Sequence, residues 1–153
     1  MFINRTHFLV VKMTEPRKIL CVEDESDIAR IYRIGLASIA QTVICSDGEE
    51  ALQSLRSDST IGLVFTDNDM GGHLKSGLYF LEQSRDIAIP KYMVSSPITG
   101  EKVPLHDAVR NLGGIGLILK PFGFRFIKTV ARETLEQGTS ASYEAYAREN
   151  KFN

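Results

Sequence analysis

Five short apolar runs, separated by segments of helical periodicity, constrain this chain more than any other feature. KILCVE, TVICS, IGLVFT, KYMVS and GLIL have strand length and are bounded by turn-forming residues. IGLVFT is apolar throughout, as expected of a strand covered by helices on both faces. Between the runs, Ile28, Ile31, Tyr32, Leu36 and Ile39 recur at three- and four-residue spacing and form one helical stripe. Ala51, Leu52 and Leu55 mark a short second helix over 48–56, and Leu78 and Leu81 mark a third. Two prolines and a glycine in SPITGEKVP delay the fourth helix until near Pro104, and Gly113-Gly114 ends it. Phe126, Ile127, Val130 and Ala131 carry the fifth helix, over 123–137. Five strands alternating with five helices predict an α/β fold, a doubly wound parallel sheet with right-handed crossovers.

The remaining bounds are simple. At 153 residues the chain is expected to be mainly one domain, and 43% hydrophobic with 24% charged residues is ordinary for a globular protein. A formal net charge of −1 gives no electrostatic reason to expect nucleic acid or an anionic membrane as partner. Cys21 and Cys45 both fall inside predicted strands and read as buried free thiols, which fits a reducing compartment; the expected location is cytoplasmic. The N-terminal FLVV run is too short for a signal-peptide core or a membrane span. Residues 1–16 read as a flexible leader. Residues 138–153 read as a C-terminal tail with weak helical character through Tyr143 and Tyr146, and no output domain is expected there.

Four of the apolar runs end in reactive side chains: Glu23-Asp24, Asp67, Ser95 and Lys120. An open parallel sheet lines up the carboxyl ends of its strands along one edge, where ligands bind. Glu23, Asp24 and Asp67 converging there would repel one another and raise their pKa values. A hard divalent cation resolves that conflict, and Mg²⁺ takes a few carboxylates plus water. Such a metal also neutralises an incoming phosphate. Asp67 is a competent nucleophile toward a phosphoryl group, Lys120 a mobile point charge for a phosphoryl oxygen, and Ser95 a hydroxyl that can hydrogen-bond another. Alternatively, the acids are a helix N-terminus and Ser95-Ser96 ordinary turn residues before Pro97. His73 and His106 lack paired metal-ligand spacing and read as surface residues, and Gly71-Gly72 is not followed by the Gly-Lys-Ser/Thr of a P-loop.

VEDE after the first strand, D-x-x-M after the third, Ser95 at the end of the fourth and KPF after the fifth resemble the receiver domain of bacterial two-component response regulators. The resemblance covers roughly residues 17–137. It implies the chemotaxis-type, flavodoxin-like fold with strand order 2-1-3-4-5. On these positions Asp67 would be the phosphoacceptor, Glu23 and Asp24 the acid pair that holds Mg²⁺, and Asp69 the residue giving its backbone carbonyl to the metal. Ser95 would be the switch hydroxyl and Lys120 the phosphate-sensing lysine. The implied function is that of a stand-alone response regulator, phosphorylated by a sensor histidine kinase or phosphotransfer protein and signalling to a downstream protein target, or acting as a phosphate sink. It would be no enzyme beyond slow autodephosphorylation, and a monomer or weak homodimer. Pro121 to Phe124 partly resembles the P-F-x-F motif of alphaproteobacterial stand-alone receivers that pair with HWE-type kinases.

Three departures stand out. Gly71-Gly72 follows Met70 where the family usually has Pro. The loop to Gly77 is about two residues longer than the common pattern and should be more mobile. Leu117 occupies the place of the family's switch aromatic, so the usual ring-swing coupling is not expected. Two other functions fit parts of the pattern. A pseudo-receiver would bind partners without phosphorylation. Asp67-Asn68-Asp69 also resembles the D-x-D of haloacid-dehalogenase-type phosphatases, although a strand and an acid pair precede it here.

Overall fold

The computed structural model describes residues 17–72 and 76–152; the proposed leader and His73 lie outside them. The five apolar runs form the strands β1 (Lys18–Val22), β2 (Thr42–Cys45), β3 (Ile61–Thr66), β4 (Lys91–Ser95) and β5 (Gly116–Leu119). All pair in parallel in the order β2-β1-β3-β4-β5, the expected flavodoxin-like topology. The helices are α1 (Ser26–Leu36), α2 (Gly48–Ser57), α3 (Gly77–Gln83), α4 (Lys102–Asn111), α5 (Phe124–Gln137) and α6 (Ala141–Glu149). Six helices are therefore present among the described residues, rather than five, because part of the expected tail is helical. None is long and apolar enough to cross a membrane.

The period-two alternation of each strand divides the core between the two sheet faces. Leu20, Val22, Cys45, Val64, Met93 and Leu117 pack beneath α2, α3 and α4, against Ala51, Leu55, Phe80, Leu81 and Val109. Ile19, Cys21, Leu63, Phe65, Tyr92, Val94 and Ile118 face Tyr32 and Leu36 of α1 and Ile127, Val130 and Ala131 of α5. Cys21 and Cys45 are buried free thiols on opposite faces, so no disulfide can join them. Helix starts follow local chemistry. Asp47 accepts the Glu50 N–H at 3.0 Å to begin α2, and Ser76 accepts the Tyr79 N–H at 3.1 Å to begin α3.

Strand β5 is an edge of the sheet, and its outward backbone groups need partners that no sixth strand among the described residues supplies. Gly138, with φ of 80° as the C-cap of α5, turns the chain back, and Ser140 caps α6 by accepting the Tyr143 N–H at 3.0 Å. Tyr143 then donates to the Leu117 carbonyl at 3.2 Å, and Tyr146 Oη accepts the Leu119 N–H at 2.8 Å. From α4, Arg110 donates to the Ile115 carbonyl at 3.0 Å. The ring of Tyr143 also ends an aromatic row across the sheet face: Tyr32 to Phe65 at 6.0 Å, Phe65 to Tyr92 at 5.6 Å, Tyr92 to Tyr143 at 5.0 Å. The two tyrosines of the expected tail thus belong to the packing of the edge strand.

His106 is not a surface residue. It is only 5% exposed, and its ring stacks on Phe152 with centroids 4.4 Å apart. It faces inward because α6 and the residues after it cover that side of α4, a contact the helical pattern of α4 alone does not announce. Gly116 makes the close approach possible, since a Cβ there would lie 1.9 Å from Tyr143 Oη and 2.9 Å from His106 Nε2. Gly116→Ala is therefore expected to cost about 1–3 kcal/mol through overpacking. Urea unfolding checks it; an unchanged midpoint would mean that α6 does not press on β5.

Candidate functional site

Backbone hydrogen bonds that extend the sheet by one residue assemble the site. The Glu23 N–H donates to the Cys45 carbonyl, the Asp67 N–H to the Val22 carbonyl and the Lys120 N–H to the Ser95 carbonyl, each at 2.9 Å. These bonds put Glu23 beside Asp67 and Lys120 beside Ser95 at the carboxyl edge, as the strand ends predict. Glu23, Asp67 and Ser95 are buried, at 3%, 6% and 5% exposure, whereas Asp24 is exposed. Carboxylate oxygens of Glu23, Asp24 and Asp67 lie within 4.8 Å of one another. The Lys120 ammonium sits between two of these acids, 2.8 Å from Glu23 Oε2 and 3.4 Å from Asp67 Oδ2. Asp69, expected to contribute only its carbonyl, has an exposed side chain.

The acids are oriented as well as gathered. Glu23 Oε1 accepts the Glu25 N–H at 3.1 Å, and Asp67 Oδ1 accepts the Asn68 N–H at 2.7 Å. Burial pushes the Glu23 carboxyl above its ordinary value, outweighing the hydrogen bond from Lys120, and the charge of Asp67 adds a smaller upward push. Burial likewise raises Asp67 against the pull of Lys120. Mutual repulsion, the cause anticipated from the sequence, is thus secondary to desolvation. Burial opposes the Lys120 ammonium too, but its hydrogen bond to Glu23 and the charges of Asp67 and Glu23 prevail and raise its pKa. The site holds an ammonium among buried carboxylates that resist ionisation.

Residues outside the sequence motifs hold the loop after Asp67. The Asn68 carbonyl accepts the Gly77 N–H at 3.1 Å, and its side-chain oxygen accepts the Leu78 N–H at 3.2 Å. Thr66 Oγ1 donates to the Asp67 carbonyl at 2.9 Å. Gly77 itself packs on the phosphoacceptor candidate, since a Cβ there would meet the Asp67 carbonyl oxygen at 2.2 Å. A glycine at the start of a helix after a polar loop was the signal available for this contact. Gly71 and Gly72 have φ of 79° and 124°, backbone that only glycine adopts without strain. A cleft of about 540 Å³ runs from this loop along Ser95, Ile98 and Leu105.

No protein-family model matches the sequence, and no curated protein matches it either. Solved structures do match. A response regulator receiver protein from Pseudomonas putida is 26% identical, with a TM-score of 0.64 over 73% of this chain and 92% of that one. A response regulator receiver domain protein from Clostridium thermocellum is 20% identical, with a TM-score of 0.69 over 80% and 96%. A CheY-like receiver domain protein from Methanospirillum hungatei is 20% identical, with a TM-score of 0.70 over 85% and 98%. The chain is similar in fold to response regulator receiver domains.

Proposed function

We propose that this chain is a receiver of a two-component relay, in which Asp67 accepts a phosphoryl group from a phosphohistidine on a sensor histidine kinase or phosphotransfer protein. The observation that carries this reading is the convergence of three carboxylates with Lys120 at one strand edge, next to Ser95. The donors are all hard oxygens, which fits Mg²⁺. Glu23, Asp24 and Asp67 would hold the ion, with the Asp69 carbonyl completing the set, and it would supply charge neutralisation for the phosphoryl oxygens.

The chain's own groups do the rest. The Asn68 N–H fixes the Asp67 carboxylate, one oxygen of which attacks phosphorus as the P–N bond to the imidazole breaks. Lys120 leaves Glu23 for a phosphoryl oxygen, and the Ser95 hydroxyl donates to another. A protein donor suits the surroundings. A recess of about 380 Å³ beside Lys120 is lined by Ile28, Ile31, Pro121 and Phe122, and Ile31, Ile34 and Phe124 remain 43%, 63% and 42% exposed on α1 and the start of α5. The product signals through changed protein contacts or serves as a phosphate sink.

Intact-mass measurement after incubation with acetyl phosphate tests the reading. A single phosphoryl adduct that requires Mg²⁺ is expected. Multiple-turnover phosphate release would favour a phosphatase instead, and neither adduct nor turnover, even with a kinase present, would favour a pseudo-receiver.

Metal should also register as stability. Between the ordinary carboxyl values of 3.8 and 4.5 and their raised folded values, the native state keeps protons that the unfolded chain has lost. Stability therefore falls as pH rises through that window, and the cost is fully present above it. A cation bound to the ionised acids offsets that cost. Mg²⁺ at a hundred times its dissociation constant should add about 2.7 kcal/mol at neutral pH. The increment should shrink on acidification through the window. Thermal unfolding reads it; an Mg²⁺-independent midpoint at neutral pH would contradict the metal assignment.

A further inference from the structure

Leu117, in the place where receivers carry an aromatic switch residue, is fully buried in the core beneath α4 and offers no ring to move. Aromatic rings nevertheless reach β5 from α6. Tyr146 Oη holds the Leu119 N–H at 2.8 Å, and the next residue is Lys120, whose own N–H is held by Ser95 at 2.9 Å. The final residues of β5 are therefore pinned on one side by the backbone of Ser95 and on the other by the hydroxyl of Tyr146. The Tyr146 ring lies against Phe126 of α5 at 4.8 Å and Tyr143 at 6.0 Å, so any shift at the end of β5 reaches both helices.

We propose that Tyr146 reads the state of Lys120 through the backbone of β5, and that α6 is the element the site moves. The proposal rests on the phosphoacceptor reading, because Lys120 changes partners only when a phosphoryl group arrives on Asp67. Two features leave α6 room to respond. A half-open groove of about 760 Å³ runs between it and α4, bordered by His106, Arg110, Tyr143, Ala147 and Phe152. At its wall, His106 Nδ1 is buried with no hydrogen-bond partner among the described residues, Asp107 Oδ1 lying 3.8 Å away. The joint with α5 is Gly138, whose left-handed backbone gives a short glycine hinge. Tyr143, anchored on Leu117 and stacked on Tyr92, would follow as α6 turns. The output surface is then the one α6 presents together with α4, not a face of bare β5.

The chain has five tyrosines and no tryptophan, which makes fluorotyrosine labelling of the full chain a direct reporter. Fluorine NMR with and without Mg²⁺ and beryllofluoride, with resonances assigned by Tyr→Phe variants, reads each ring. Intact mass after acetyl phosphate is recorded in parallel. The expected result is a Tyr146 resonance and a Tyr143 resonance that both move with beryllofluoride. In Tyr146→Phe the adduct should still form while the Tyr143 resonance stays in place, an uncoupling that a merely structural role would not produce. An adduct with both resonances unmoved overturns the coupling and leaves the phosphoacceptor reading standing, as does a Tyr143 response that survives Tyr146→Phe. A chain that forms no adduct with acetyl phosphate or a kinase overturns both.

Discussion

Asp67→Asn is expected to abolish phosphoryl transfer and, at the same time, to make the protein more stable at neutral pH. Loss of transfer follows because the amide is no nucleophile toward phosphorus and brings no charge to a cation. The stability gain follows from burial. Asp67 is 6% exposed and its pKa is raised chiefly by desolvation, so its ionised form weakens the fold wherever the pH exceeds the raised value. Removing that charge should raise Tm, by about 2–4 °C for each kcal/mol gained in a chain of this size. The gain should fade as pH falls through the window above 3.8, where the native carboxyl of the parent is already protonated. Lys120 keeps Glu23 at 2.8 Å in the variant, so its ammonium is not stranded. Thermal scans at several pH values check the sign. A Tm that drops on substitution would show that Asp67 is a structural partner of Lys120 rather than a charge held for chemistry.

Gly77→Ala should be the most damaging change that removes no reactive group. Its Cβ would lie 2.2 Å from the Asp67 carbonyl oxygen, 3.0 Å from its carbonyl carbon and 3.1 Å from Asn68 Cα. All three are backbone atoms, so no rotamer change relieves the contact. Helix α3 must retreat from the loop, lengthening the Gly77 N–H to Asn68 carbonyl bond and the Leu78 N–H to Asn68 side-chain bond. The fold should lose about 1–3 kcal/mol. Displacement of the loop by roughly 1 Å should slow phosphorylation by about 10²-fold. Urea unfolding and the rate of adduct formation measure the two effects; full activity with normal stability would mean the loop position is immaterial.

The sheet and the place of the candidate site on it were legible in the sequence for one physical reason. Each strand is buried on both faces and so reads as a short apolar run, and each run stops where the backbone reaches the solvent edge. Glu23, Asp67, Ser95 and Lys120 mark those stops, and the sheet order brings them together. Helix α4 begins at Lys102, two positions before the Pro104 that signalled it, because proline is tolerated anywhere in a first turn. Less legible was what lies beyond β5. Tyr143, Tyr146 and Phe152 are isolated apolar residues in a polar stretch, and α6 has no broad hydrophobic stripe. Their burial is set by the open edge of β5 and by the absent side chain of Gly116, features of the assembled sheet. The inward position of His106 is hidden for the same cause, since what covers it, Phe152, lies 46 positions further on. Desolvation of Glu23 and Asp67 was equally hidden, because a list of acids carries their repulsion but not their depth.

Asp67, and no other acid in the cluster, is expected to carry the phosphoryl group. Borohydride reduction of the phosphorylated chain tests it most directly, because an acyl phosphate on aspartate is reduced to homoserine, whose position peptide mass spectrometry reads. Homoserine at position 67 alone, dependent on Mg²⁺ during phosphorylation, is the expected result. Homoserine at position 24 or 69, or a stable adduct that borohydride leaves untouched, would contradict it.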